Sequence, residues 1–111
     1  MNYSVFVLMT AAPAWLSLSR EQRNDMVANT LEPLLREFGA TVRVRLFDAE
    51  AFTARCSDVM MLETEDLKSY YYFIEKLRDT ALIAHPYFIV NDIIPAIENG
   101  FRTFEAETSK Q

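Results

Sequence analysis

Glycine, proline, cysteine and histidine are all scarce: two, four, one and one in 111 residues. With only Gly39 and Gly100 available, no glycine-rich loop can cradle a phosphate, so nucleotide hydrolysis and hydride transfer from a dinucleotide fall away. A nucleophile elbow of the serine-hydrolase type is missing, and so is any internal repeat. The lone Cys56 cannot form an internal disulfide, which fits a reducing compartment. One histidine and one cysteine, far apart, cannot supply a zinc site, although carboxylates can hold a weak divalent ion; no metal and no cofactor is expected. Positive charge is short as well. Eleven Lys and Arg against sixteen Asp and Glu give a net charge of −5, which excludes the broad basic surface that non-specific nucleic-acid binding needs. No apolar run is long enough to cross a bilayer. Val5 to Leu18 is apolar with small residues, like a secretory signal, but no Lys or Arg precedes Arg20, so the chain reads as cytoplasmic.

What remains is an apolar chain, half hydrophobic, of a size that suits one domain over residues 1–105 followed by a polar tail at 106–111. Asn2 to Thr10 predicts a strand apolar on both faces, with Tyr3, Val5, Val7 and Met9 on one and Phe6 and Leu8 on the other. Ala11 to Leu18 predicts a loop. Ser19 with Gln22 is a capping box opening a helix with Met26, Val27, Leu31, Leu34, Leu35 and Phe38 on one face, kinked or restarted at Pro33 and closed by Gly39. Thr41 to Asp48 alternates cleanly, with Val44 and Leu46 against Arg43, Arg45 and Phe47. Ser57 to Thr64 predicts a third strand, again apolar on both faces. Thr64 is the expected cap of a second long helix, with Leu67, Tyr70, Tyr71, Ile74 and Leu77 as its stripe. A loop over Thr80 to His85, a strand over Tyr87 to Ile93 and a short strand or turn over Phe101 to Glu105 complete the reading.

Strand, helix, strand, strand, helix, strand is the ferredoxin-like βαββαβ plan, an α+β sandwich with a four-stranded antiparallel sheet. Two helices cover one face only, whereas the first and third strands are apolar on both. A second copy is the simplest cover for the other face and gives a homodimer of the dimeric α+β barrel type, with Phe101 to Phe104 adding an edge contact across the two-fold.

Four segments carry a resemblance: PAWLSLSR (13–20), RLFDAEAFTARCSD (45–58), ETEDLKSYYYFIEKLRDT (63–80) and PYFIVNDIIPAIENGFR (86–102). With them the chain resembles the darcynin family from Asn2 to Phe104. The resemblance implies a small bacterial protein of the dimeric ferredoxin-like kind and carries over no catalytic residue.

Chemistry concentrates in Arg45, Asp48, Glu50, Arg55, Cys56 and Asp58. Asp48 ends one strand and Asp58 begins the next, so their carboxylates meet at one end of the sheet, with Arg55 expected between them. Such a cluster either orients an anionic ligand or pins the loop. Arg43 and Arg45 either anchor an anion or keep an edge strand soluble. His85 is a candidate general base or haem ligand, or a loop histidine bonded to its own backbone. Trp15 and Tyr72 are candidate pocket walls. Cofactor-free monooxygenases of the wider superfamily place a tryptophan on the sheet or helices, and Trp15 in the first loop departs from that. Two classes of function stand: a homodimeric module binding a small anionic or aromatic metabolite through Arg43, Arg45, Arg55, Trp15 and Tyr72, and a cofactor-free enzyme of proton-transfer or monooxygenase type using Asp48, Asp58 or His85.

Overall fold

In the computed structural model residues 1–109 are described. Strand β1 (Tyr3–Ala11) lies between β3 (Asp58–Thr64) and β4 (Phe88–Ile97), and β2 (Arg43–Asp48) flanks β3, so the sheet order is β2–β3–β1–β4 with every pair antiparallel. The two strands that are apolar on both faces are the central ones, and the arginine strand is an edge. This is the ferredoxin-like α+β sandwich.

Register fixes which side chains share a face. Val5 faces Leu62 and Val7 faces Met60 across β1 and β3, and these four are buried under the helices. Phe6, Leu8, Val59, Met61 and Ile94 fall on the other face, which no helix covers.

The first long helical stretch begins at the Ser19–Gln22 capping box, with both reciprocal bonds formed. It runs as α2 (Arg20–Met26), a π-helical turn at Val27–Leu31, and α3 (Glu32–Glu37). Pro33 explains the break: lacking an N–H, it stands in the first turn of α3, and the turn before it widens so that the Glu32 N–H reaches the Val27 carbonyl. The second long helix, α4 (Leu67–Arg78), is capped by Asp66, whose carboxylate accepts the Lys68 N–H, and not by Thr64. The Thr64 hydroxyl instead donates to the Thr41 carbonyl at 2.7 Å and accepts the Asp66 N–H at 3.0 Å, tying β3 to the loop before β2.

The stripe of α4 is rotated from the expected one. Phe73 is fully buried at its centre with Leu77, while Leu67 and Tyr71 are exposed. Apolar residues cover more than half the helix circumference, and the edge-to-face contact of Phe73 with Phe38, at 5.6 Å, draws that side inward.

Two expected loops contain short helices, α1 (Pro13–Leu16) and α5 (Ala81–Ala84). Strand β4 continues past Ile93 to Ile97, and Pro95 sits within it opposite Val5; a proline is tolerated there because β4 is an edge with no outer neighbour needing its N–H. The residues expected as a short strand or turn form α6 (Gly100–Thr108). The first part of the expected tail belongs to this helix, and residues 110 and 111 lie outside the described residues. None of the side chains of α6 is buried. The chain therefore measures 59 × 31 × 18 Å with a radius of gyration of 16.2 Å, against about 13 Å for a compact chain of this length. Among the described residues no helix is long and apolar enough to cross a membrane.

Candidate functional site

A cavity of about 260 Å³ opens between the helix-covered face of the sheet and the helices, at the end where β2 and β3 are joined. Met9, Met60, Leu82 and Phe88 give it apolar walls, Trp15 closes one side, and Asp48 and Asp58 stand on its lining.

Each wall is placed by a local feature. Pro13 starts α1, which turns Trp15 back toward the sheet, and the indole packs on Phe88 at 4.8 Å between ring centroids and edge-on to Tyr87 at 6.0 Å. Arg23 from α2 locks that turn: its guanidinium donates to the carbonyls of Trp15 at 3.2 Å and Leu16 at 2.9 Å and lies 5.9 Å from the indole centroid. The π-helical turn contributes Val27 and Leu31 to the same cavity, and such turns recur at functional sites because they redirect side chains within a helix.

Asp48 and Asp58 are direct partners across β2 and β3, so both project from the helix-covered face. Ser57 positions one of them. Its hydroxyl donates to Asp58 Oδ2 at 2.6 Å and accepts the Ala11 N–H at 2.7 Å. Burial pushes the Asp58 carboxyl up from 3.8, the Ser57 hydrogen bond opposes this, and the charges of Asp48 and Glu50 push it up further.

A folded-state pKa above the unfolded one means that Asp58 contributes stability below about pH 4 that is lost as pH rises through its raised value. Asp58→Asn should therefore stabilise the chain at neutral pH relative to wild type and flatten the pH dependence in that window. Urea unfolding at about pH 4 and pH 7 checks this, and equal pH dependence in the two proteins would refute it.

The structure brings Trp15, Asp48 and Asp58 to one cavity and puts the remaining candidates elsewhere. Arg43 and Arg45 project from the uncovered face of the sheet, where both pair with Glu63, Arg43 at 3.8 Å and Arg45 more closely. Arg55 is exposed in the β2–β3 connection and has no ion pair among the described residues. Tyr72 is on the outer side of α4, with the Lys68 ammonium 5.5 Å from its ring centroid. His85 is exposed after α5 and stacks on Tyr87 at 4.2 Å. Cys56 is buried. Among the described residues no cluster of three or more His, Cys, Asp or Glu is arranged to hold a metal ion.

Sheet order, helices on one face and an open apolar cavity between the two layers define a ferredoxin-like α+β protein. The family model described as "Darcynin, domain of unknown function" matches residues 2–110, and the chain belongs to the darcynin family. It is 56% identical over 69 residues to darcynin of Chromobacterium violaceum, covering 62% of this chain and 87% of that protein. Identity to darcynin 1 of Acinetobacter baumannii is 40% over 91 residues, covering 82% of this chain and all of the relative. Among solved structures it is similar to a heme-binding protein from Thermus thermophilus, with a TM-score of 0.78 and 17% identity, over 94% of this chain and 44% of that one. A mutant chlorite dismutase from Candidatus Nitrospira defluvii superposes with a TM-score of 0.74 and 14% identity, over 89% of this chain and 40% of that one. The chain spans less than half of either structure, and the likeness is one of fold.

Proposed function

We propose that this darcynin is a small-molecule-binding module, acting as a homodimer, whose ligand enters the cavity between sheet and helices. The reading is carried by one observation: an apolar cavity of about 260 Å³ on which an indole and a pair of facing carboxyl groups converge. The walls suit an aromatic or aliphatic body. Two carboxyl groups oppose an anion and favour a head that donates hydrogen bonds, such as a protonated amine, an amide or a phenol. Of the expected anion anchors, Arg43 and Arg45 lie on the other face of the sheet, already engaged by Glu63, and Arg55 is exposed in the β2–β3 connection and does not line the cavity. Haem has no support among these residues, since the single histidine is exposed and does not line the cavity.

Thermal-shift measurement with a panel of aromatic amines, phenols and aromatic carboxylates tests the reading. Amines or phenols should raise the melting temperature, and the gain should shrink in Trp15→Ala and in an Asp48→Asn, Asp58→Asn double variant. Stabilisation by carboxylates alone, unaffected by these changes, would sink it.

A second reading rests on Asp58. A carboxyl whose pKa is raised by burial, standing beside another carboxylate, suits general acid–base work. Native mass spectrometry of protein from its own host would identify a retained molecule. Loss of its turnover in Asp58→Asn with its binding intact would favour the enzyme over the carrier.

The homodimer has separate support. The chain exposes 7600 Å², whereas a compact monomer of its mass exposes about 6,300 Å². The excess of about 1,300 Å² per chain is of the order that a stable homodimer buries. Light scattering should return twice 12.8 kDa.

A further inference from the structure

Resting on the homodimer reading, the geometry points to an exchange of C-terminal helices: we propose that α6 of each protomer docks its Phe101 and Phe104 into the groove beside β4 of the other copy.

Helix α6 has little to hold it in its own chain. It is nine residues long, its N-cap Asn99 makes no side-chain capping bond, and none of its side chains is buried. A helix this short is marginal in water unless an apolar face is packed. Phe101 and Phe104, three positions apart, form such a face, yet they are 73% and 59% exposed. Gly100 fixes the direction of the helix by packing closely on Ile97: a Cβ there would stand 3.0 Å from the Ile97 side chain.

The matching surface is on the same chain. Ile74, Ile83, Phe88, Ile89 and Ile93 line an apolar groove between β4 and helices α4 and α5, with Arg78 also lining it. Arg78 has no ion pair among the described residues, and α6 carries Glu105 and Glu107 against the single Arg102. Arm and groove are thus complementary in polarity and charge. Because every copy carries both, two copies related by a two-fold satisfy each other completely, and the assembly closes at two. The edge of β4 itself is a poorer site for pairing, because Pro95 interrupts its row of donors. The arm therefore leaves the sheet as a helix and offers side chains.

A full-length Ile93→Cys, Phe104→Cys variant, oxidised and then analysed by denaturing mass spectrometry, tests the exchange. A covalent dimer that neither single variant forms is expected. A disulfide within one chain, or no cross-link in protein that remains dimeric, overturns helix exchange and leaves the homodimer standing. Wild-type protein that is monomeric at all concentrations removes both readings. Sedimentation equilibrium supplies a second measurement: Phe101→Ala with Phe104→Ala should weaken dimerisation at least tenfold while the far-ultraviolet spectrum keeps the signature of the sheet and long helices. Unchanged dimerisation in that variant would also overturn the exchange.

Discussion

Phe73→Ala should destabilise the chain by about 3–5 kcal/mol, the cost of removing a buried phenyl ring and leaving a cavity that its surroundings only partly fill. Phe73 is the largest fully buried side chain, on the inner side of α4 and edge-on to Phe38. It joins three parts of the fold: the helix that carries it, the β1 and β3 residues Val5, Val7 and Leu62 in the core cluster with it, and α3 and its C-cap through Leu34 and Phe38. Collapse around the missing ring is restricted, because Val5, Val7 and Leu62 are held in strand register. Urea unfolding at fixed protein concentration is the measurement, and a midpoint lower by roughly 1.5–3 M is expected from the slopes typical of small proteins. A loss below about 1 kcal/mol would mean that α4 can roll to bury Tyr71 in place of Phe73.

That alternative roll is where the sequence was hardest to read. The order of elements was legible because alternation and helical spacing are local properties, and the double-sided apolarity of β1 and β3 placed them in the centre of the sheet before any contact was known. In α4, Leu67, Tyr70, Tyr71, Phe73, Ile74 and Leu77 cover too wide an arc for spacing to select its midpoint. Packing against Phe38 makes that choice, and Phe38 belongs to a distant segment. The short helices α1 and α5 and the continuation of β4 through Pro95 were hidden for a related reason. Proline punctuates an isolated segment, but at the start of a helix or on an outer strand its missing N–H costs nothing.

The candidate site was legible only in part. Asp48 and Asp58 can be brought together from sequence, since a connection between adjacent antiparallel strands sets their ends side by side. The face on which they project follows from parity, which sets Asp48 with Val44 and Leu46 on β2, whereas the expected cluster groups residues by closeness along the chain. That parity separates Asp48 from Arg43 and Arg45 along β2, and so divides the expected cluster between two faces of one sheet. Ser57 carried no sequence signal: its role depends on the Ala11 N–H, 46 positions away.

If the proposed homodimer packs through the uncovered sheet face, Phe6→Asp should separate it into folded monomers, raising the dissociation constant by about 100- to 1,000-fold, the loss expected when a central interface anchor is removed. Phe6 lies in the middle of the uncovered sheet face, opposite Met61 on β3 and Ile94 on β4, with Leu8 two residues along. In that dimer the new carboxylate would be enclosed among apolar side chains, and the nearby cation, Arg45, is already engaged by Glu63. In the monomer it meets water, and the buried side of the sheet, held by Val5 and Val7, is untouched. Sedimentation velocity across a concentration series distinguishes the outcomes. A monomer with the wild-type far-ultraviolet spectrum places the interface on this face, whereas a variant that stays dimeric would move it away from the sheet and leave Phe6, Leu8 and Met61 without a partner. The position of the substitution also separates the two functional claims. Phe6 and the cavity lie on opposite faces of β1, so a monomeric variant that still binds the same amine or phenol would show that each copy holds a whole site. Loss of binding on dissociation would mean instead that the second copy holds the helices over the cavity, since none of the residues that line it is changed by the substitution.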